Sequence, residues 1–416
     1  MSTFSCVDLS QTMPLSMRFL LVRLIIGGML VASQLYLFVR GYRVVRLSRW
    51  SPQRKKLLRL ALIGFFGSTL IIYFAFLSRW APLKHPSLLI LYLFIYPTAI
   101  WSFGSLFSFL LLLLADLTGY CARLIRSKVV KRNETSAPPP DPSRRAFLQT
   151  SLSALAAAPI LVSGYGASYA SNGWGIEEVH LSLSQPHPFD PPLKVVQVSD
   201  IHSGLFMTPA QMRHYAEAIR QLEPDLFVLT GDFIANSGTD LPPCIKEMAR
   251  VESRYGSFAV LGNHEHWYGE PEKIIAAFEG AGISILHNTH RVLETDRGSI
   301  AIAGIDDLRV GRPNLGQALD GLNPALPTIL LSHRPEIFPR AAARNIALTL
   351  SGHYHGGQIT VRALGLSISL AHLLSPYPEG LYRLRNSHLY VNRGLGTTLT
   401  PVRVNAPPEI TLFHLT

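Results

Sequence analysis

Apolar positions fall into two unlike patterns along the chain. In the first third they form unbroken runs at residues 17–39, 57–77 and 88–114. Each run is long enough to cross roughly 30 Å of hydrocarbon as a helix. A helix buried in a soluble core would keep a polar face, and these runs have almost none. Pro97 interrupts the third run, where a membrane helix tolerates it as a kink. That run is too short for two spans and reads as one. A milder stretch, residues 152–170, follows a Pro-rich segment at 137–142 and the sequence Ser143-Arg144-Arg145-Ala146-Phe147-Leu148. It reads either as a fourth anchoring helix or as an internal twin-arginine-like export signal, with Ser168-Tyr169-Ala170 resembling a cleavage site. A segment lying on the membrane surface is a third reading, because Gly, Ser and Ala dilute its hydrophobicity.

From residue 193 the pattern changes to short β-branched runs, each ending in Gly, Asp, Asn or His. They lie at 194–198, 226–230, 258–261, 300–303, 328–331 and 347–350. Amphipathic stretches at 209–222 and 271–280 separate the early ones. Strands alternating with helices predict an α/β fold, in which functional groups gather just past strand C-termini. The expected organisation is a membrane domain with three transmembrane helices (1–122) and a basic, Pro-rich cytoplasmic linker (123–146). The signal-like or fourth helix (147–170) and a catalytic domain (171–416) complete it.

Charge separates the halves further. Residues 1–150 carry 19 Lys and Arg against four acids (Asp8, Asp116, Glu134 and Asp141), a net of +15, whereas residues 151–416 carry a net of −4. A nucleic-acid partner would need basic charge beside the chemistry, so none is expected. The basic residues cluster at 40–59 and 123–145, beside apolar runs, which predicts that both loops are cytoplasmic. The N-terminus then lies outside, with Arg18 and Arg23 as a minor charge against that model. The catalytic half is expected outside the cytoplasm, unless residues 152–170 stay on the surface. Cys6, Cys121 and Cys244 match no ligand spacing and identify no redox compartment.

The strand ends carry the candidate chemistry. In order they read Ser199-Asp200-Ile201-His202, Gly231-Asp232, Gly262-Asn263-His264-Glu265, Ser332-His333-Arg334 and Gly352-His353-Tyr354-His355-Gly356-Gly357. Singly, Asp232 is a turn residue, Asn263 a left-handed turn and His333 a core histidine. Five strand ends all finishing in oxygen or imidazole donors form a set. Asp200 and His202, like His353 and His355, are two residues apart, which in extended chain puts both members on one side. Carboxylate, imidazole and amide together suit two divalent cations of borderline hardness, such as Mn, Fe or Zn.

The ordered set is similar to that of the calcineurin-like metallophosphoesterases, D-x-H, G-D, G-N-H-E, H and G-H-x-H, and covers the chain from Lys194 onward. The resemblance implies an αββα sandwich of two mixed sheets between helices. One metal would take Asp200, His202 and His355, and the other Asn263, His333 and His353, with Asp232 bridging. His264 would face the scissile ester as the catalytic group. Cations about 3.5–4 Å apart would activate a bridging water as the nucleophile. Residues 389–398 and Pro401-Val402-Arg403 resemble a membrane-associated bacterial branch. That branch includes exported phosphoesterases and a UDP-diacylglucosamine pyrophosphatase. The implied setting is a multi-pass protein of the cell inner membrane acting on a phosphoester substrate, including a lipid-linked one.

The second motif continues as Phe233-Ile234-Ala235-Asn236, without the second Asp and the Arg of phosphoprotein phosphatases. That argues against a phosphoprotein substrate and leaves Asn236 or another group to orient His264. Arg334 and Arg393 are candidates for binding phosphate. The apolar segment 364–374 reads as a buried strand and helix turn, or as a lip against the bilayer. Two further functions compete with hydrolysis. A degenerate scaffold would normally have lost ligands. A transporter or receptor would need polar groups within its spans, and only Arg18, Arg23 and Arg59 occur there, near the run ends.

Overall fold

The computed structural model describes residues 15–77, 86–129, 142–183, 189–235, 237–363 and 365–416. The linker at 130–141 and Asn236 lie outside the described residues, as do the side chains of Arg18, Arg23, Arg144 and Arg145. The chain forms two compact units, Met1–Gly164 and Tyr165–Thr416.

The first unit is helical. Helices α1 (Leu15–Leu47), α2 (Pro52–Leu77), α3 (Leu88–Ile90) and α4 (Tyr96–Val129) precede α5 (Pro142–Asn172), which runs on into the second unit. A π-helical turn, Leu91–Ile95, joins α3 to α4. It lies directly before Pro97, whose missing N–H would break a regular ladder, and the wider turn absorbs the misfit. Among the described residues four stretches are long and apolar enough to cross a membrane: Leu24–Leu47, Pro52–Ala75, Leu88–Ile125 and Thr150–Ala170. The fourth thus has the length and composition of a span. Among the polar groups buried inside this unit, Gln34 donates to Ser105 (2.8 Å) and accepts from the Trp101 indole (2.7 Å).

The second unit holds two six-stranded mixed sheets. One has the order β1 (Gly175–Leu181), β14 (Glu409–Leu415), β2 (Leu193–Val198), β3 (Leu226–Leu229), β4 (Ser257–Ala259), β5 (Ile283–Ile285). The other runs β12 (Gly380–Leu384), β13 (Ser387–Val391), β9 (Leu348–Ser351), β8 (Thr328–Leu331), β7 (Gly298–Gly304), β6 (Thr289–Thr295). β2 to β5 are parallel in the first sheet, and β7, β8, β9 and β13 in the second. Both sheets bury apolar side chains on both faces, as parallel sheets must. Val195, Leu226, Val228 and Phe258 of one sheet meet Ile300, Ile302, Ile329, Leu348 and Leu350 of the other. The outer face of the first sheet is covered by α6 (Pro209–Arg220), α7 (Leu241–Met248) and α9 (Pro271–Glu279), whose Met212, Tyr215, Cys244 and Phe278 join Val196, Val198 and Phe227. Short helices α10 (Leu315–Ala318) and α11 (Phe338–Ala342) cover the other sheet. The result is the expected αββα sandwich.

One element departs from the bland expectation. Strands β10 (Val361–Ala363) and β11 (Leu366–Ile368) pair only with each other and belong to neither main sheet. With helix α12 (Leu370–Leu374) they form a projecting, largely exposed hairpin rather than a buried turn.

Candidate metal centre

The C-terminal ends of β2, β3, β4, β8 and β9 open toward the same place. Backbone bonds continue past the strands and hold their loops in register: Asp200 N to Gly231 O (3.0 Å), His202 N to Asp232 O (3.0 Å) and Gly352 N to His333 O (3.0 Å). Asp200, His202, Asp232, His353 and His355 all have left-handed backbone, with φ of 48°, 47°, 55°, 76° and 51°. Asp and His tolerate that region better than most residues, and strain there clusters at functional sites. Two glycines are required by close approach. A Cβ on Gly262 would lie 2.2 Å from Asp232 Oδ1, and one on Gly352 would lie 2.3 Å from Asp200 Oδ2.

Two clusters result. In the first, His202 Nε2 and His355 Nε2 are 3.1 Å apart, and Asp200 Oδ1 lies 3.4 Å from His355 Nε2. In the second, His333 Nε2 is 3.1 Å from His353 Nδ1 and 3.2 Å from Asp232 Oδ2. Asp232 Oδ2 also faces His202 Nε2 at 3.8 Å, so this carboxylate reaches both clusters. Among the described residues four such groups have donor atoms within 4.8 Å of one another. Three converge here, two of them sharing Asp232 and one of these two including His264, and the fourth (Glu178, His180 and half-buried His414) lies on β1 and β14.

The donor set fits divalent cations. Asp200 Oδ2 accepts from Ser199 Oγ (2.6 Å) and His353 N (2.9 Å), while Oδ1 is buried without a hydrogen-bond partner. A buried carboxylate oxygen left so is costly unless a cation meets it. His333 Nδ1 donates to the Thr230 carbonyl (2.8 Å), which fixes the tautomer and leaves Nε2 as a lone pair. Arg334 complicates the second cluster. Anchored by Asp307 (2.8 Å), its guanidinium donates to Asn263 Oδ1 (2.9 Å) and touches His353 Nε2. A cation on Asn263 therefore requires Arg334 to yield that oxygen.

Electrostatics follow from burial. Burial raises the Asp200 carboxyl to about 6 and lowers His202 to about 3. Burial also opposes charge on His333, yet Asp232 outweighs it and pushes the imidazole up to about 10. Burial favours neutral Asp232 as well, but His333 and His264 hold it well below the usual carboxylate range. The carboxylates thus demand positive charge beside His333 Nε2, which a proton or a divalent cation would supply.

The structure also places residues whose roles the motifs did not disclose. Nδ1 of His264 donates to the Ala235 carbonyl (2.6 Å), a backbone group no side-chain motif could reveal. Glu265, fully buried, accepts from four amides: Asp232 (3.0 Å), Phe233 (2.8 Å), Ile234 (3.3 Å) and Gly262 (2.8 Å). Thr398 Oγ1 lies 3.0 Å from His355 Nε2 and 3.3 Å from His202 Nε2. Buried Arg403 ties together the carbonyls of Arg393, Gly394, Gly396 and Ala406 behind His355. Arg393 is not directed at the clusters; its guanidinium pairs with Glu409 (2.5 Å) and Glu177 (2.6 Å).

A two-sheet sandwich with buried carboxylate–imidazole clusters at converging strand ends defines a metal-dependent hydrolase of ester bonds. The model of the calcineurin-like phosphoesterases matches residues 193–357. An uncharacterised metallophosphoesterase of Bacillus subtilis (strain 168) is 35% identical over 280 residues, 66% of this chain and 97% of that protein. A transmembrane protein with metallophosphoesterase domain from Bos taurus is 30% identical over 66% of this chain, which spans 64% of that protein. Among solved structures, a dimetal phosphatase from Danio rerio covers 50% of this chain and 88% of its own, with 11% identity and a TM-score of 0.35. The chain belongs to the calcineurin-like phosphoesterase family, as a membrane protein and a hydrolase acting on phosphoester bonds.

Proposed function

We propose that the protein hydrolyses a phosphoester or pyrophosphate bond at a centre holding two divalent cations, Mn, Fe or Zn. Asp200, His202 and His355 hold one, and Asn263, His333 and His353 the other, with Asp232 common to both. The observation that carries this reading is the reach of Asp232 Oδ2 to His202 Nε2 (3.8 Å) and His333 Nε2 (3.2 Å). When bound, such ions supply an activated water near neutral pH and neutralise phosphoryl charge.

The chain's own residues do the rest. His264 stays outside the ligand set, with Nε2 4.0 Å from Asp232 Oδ2. The Ala235 carbonyl engages its Nδ1 proton, so a proton passed to the leaving oxygen comes from Nε2. Such general acid catalysis contributes roughly 10²–10⁴ in rate. Arg334, released from Asn263, presents its remaining donors to a phosphoryl oxygen while Asp307 keeps it in place. Arg393 serves an ion-pair network instead. Residues 171–416 are the catalytic domain, anchored by the helices before them. The basic loops favour a cell inner membrane with the site on the extracytoplasmic side, where envelope and lipid-linked phosphoesters occur.

The test is hydrolysis of p-nitrophenyl phosphate and bis(p-nitrophenyl) phosphate by full-length protein in detergent, stripped of metal and reloaded with Mn, Fe, Zn or Co. Metal-restored turnover is expected. Inactivity with every ion would refute the hydrolase reading and favour a binding scaffold.

A further inference from the structure

Exposed apolar surface on the second unit is concentrated in one place. From β1 onward, every large apolar side chain more than half exposed among the described residues is Val361, Leu366, Ile368, Leu370, Leu373, Leu374 or Leu399. Leu373 is 78% exposed and Leu399 85%, whereas large apolar side chains exposed elsewhere from β1 onward reach at most 48%. Six belong to the β10–β11 hairpin and α12. Leu366 and Ile368 are exposed on a hairpin that packs on no sheet, and an isolated two-stranded hairpin is marginal in water. Such a patch marks an interaction surface.

The patch grows from the metal loop. Gly357, two residues past His355, lies so close to Ser369 at the start of α12 that a Cβ would stand 2.1 Å from its Oγ. Gln358 donates to the carbonyls of Thr398 (3.1 Å) and Thr400 (3.0 Å), which fixes Leu399 to the same loop. Thr398 itself touches His202 and His355. The surrounding chemistry selects the occupant. No acidic residue occurs from Ile359 to Pro378, and Arg362 within that stretch is paired with Glu379 (2.9 Å) just beyond it. Four helices of the chain have the length and composition to cross a bilayer. An apolar tip without an unpaired charge at its base suits the apolar boundary of a membrane.

We propose that the β10–β11 hairpin, α12 and Leu399 insert into the lipid bilayer that holds the helices, so that the centre takes phosphoesters carried by lipids or other bilayer-resident amphiphiles. The substrate class rests on the hydrolase reading above; the insertion does not.

Two measurements on full-length protein in lipid nanodiscs test it. A nitroxide at Leu373→Cys, in a background with Cys6 and Cys121 replaced by Ser, is compared with one at Arg291→Cys on β6. The first should be relaxed by oxygen and shielded from a water-soluble nickel chelate, and the second the reverse. Equal nickel access at both positions would overturn the proposal. The triple variant Leu366→Ser, Leu370→Ser, Leu373→Ser is assayed on 4-methylumbelliferyl phosphate and on its hexadecanoylamino derivative in the bilayer. At least a ten-fold loss on the acylated ester, with less than a two-fold change on the soluble one, is expected. Equal loss on both would overturn the proposal by making the hairpin a structural support of the site. If the wild type cleaves neither ester, the hydrolase reading falls, and the nitroxide depth still decides the insertion.

Discussion

Glu265→Gln tests what holds the loops of the centre together. The wild-type carboxylate accepts from Gly262 and Asp232 on Oε2 and from Phe233 and Ile234 on Oε1. Glutamine keeps the shape but has one acceptor oxygen, and its NH₂ must then face two N–H donors. Whichever way the amide turns, two buried backbone donors are orphaned. Each costs about 1–3 kcal/mol, so the substitution destabilises by about 2–6 kcal/mol. For a domain near 250 residues, 1 kcal/mol moves the melting temperature by about 2–4 °C, so a fall on the order of 10 °C is expected. The assay is tryptophan-fluorescence melting of full-length protein in detergent, with and without a chelator. Because the lost bonds are to backbone, the fall should persist in chelator, and bound metal should also drop. A variant melting within about 1 °C of wild type in chelator would show that these four bonds do not hold the loops.

The remaining predictions address ligands, catalysis and pH. His264→Ala should keep normal metal content by elemental analysis and lose about 10²–10⁴ in turnover; loss of metal would instead make it a ligand. Asp232→Ala should lose both ions, and full occupancy would sink its shared role. Gly262→Ala places a methyl 2.2 Å from Asp232 Oδ1 and should lower metal content without touching a ligand directly, as metal titration would reveal. Asp306 accepts from His266 (2.5 Å) and His287 (3.1 Å), and Asp306→Asn should cost about 1–3 kcal/mol. Burial opposes charge on His266, but Asp306 raises it above the ordinary value. The stabilisation from this pair is therefore complete only between the ordinary aspartate value of 3.8 and about pH 6.5, and is lost as pH rises through the raised histidine value. Melting curves should show the gap between wild type and variant narrowing above neutrality; a pH-independent gap would refute the pairing.

The centre was legible in the sequence because each of its donors closes a strand and the strands are short, apolar and separated by punctuating residues. Asp200, Asp232 and His333 could be placed without knowing which strands pair. What supports them was not legible, because it depends on distant chain returning. Thr398 and Arg403 reach the site only after β13, and Ala235 contributes a carbonyl that any residue would supply. Arg393 looked available because sequence does not reveal that Glu177, on β1, comes to meet it. The apolar segment 364–374 reads as a buried strand and helix turn or as a lip, yet hydrophobicity does not name what covers a strand, and Leu366–Ile368 is exposed throughout.

Strand β14 has a consequence for how the molecule is made. It lies between β1 and β2, pairing parallel with one and antiparallel with the other, although it is the last strand of the chain. Until Glu409–Leu415 has emerged from the ribosome, the first sheet lacks the strand that joins its two parts, and β1 and β2 wait with open edges. Contacts so distant in sequence form slowly, and unpaired edges invite association with other chains. The helices that anchor the protein are therefore synthesised long before the hydrolase behind them can close. During that interval a chaperone would guard a half-built sheet.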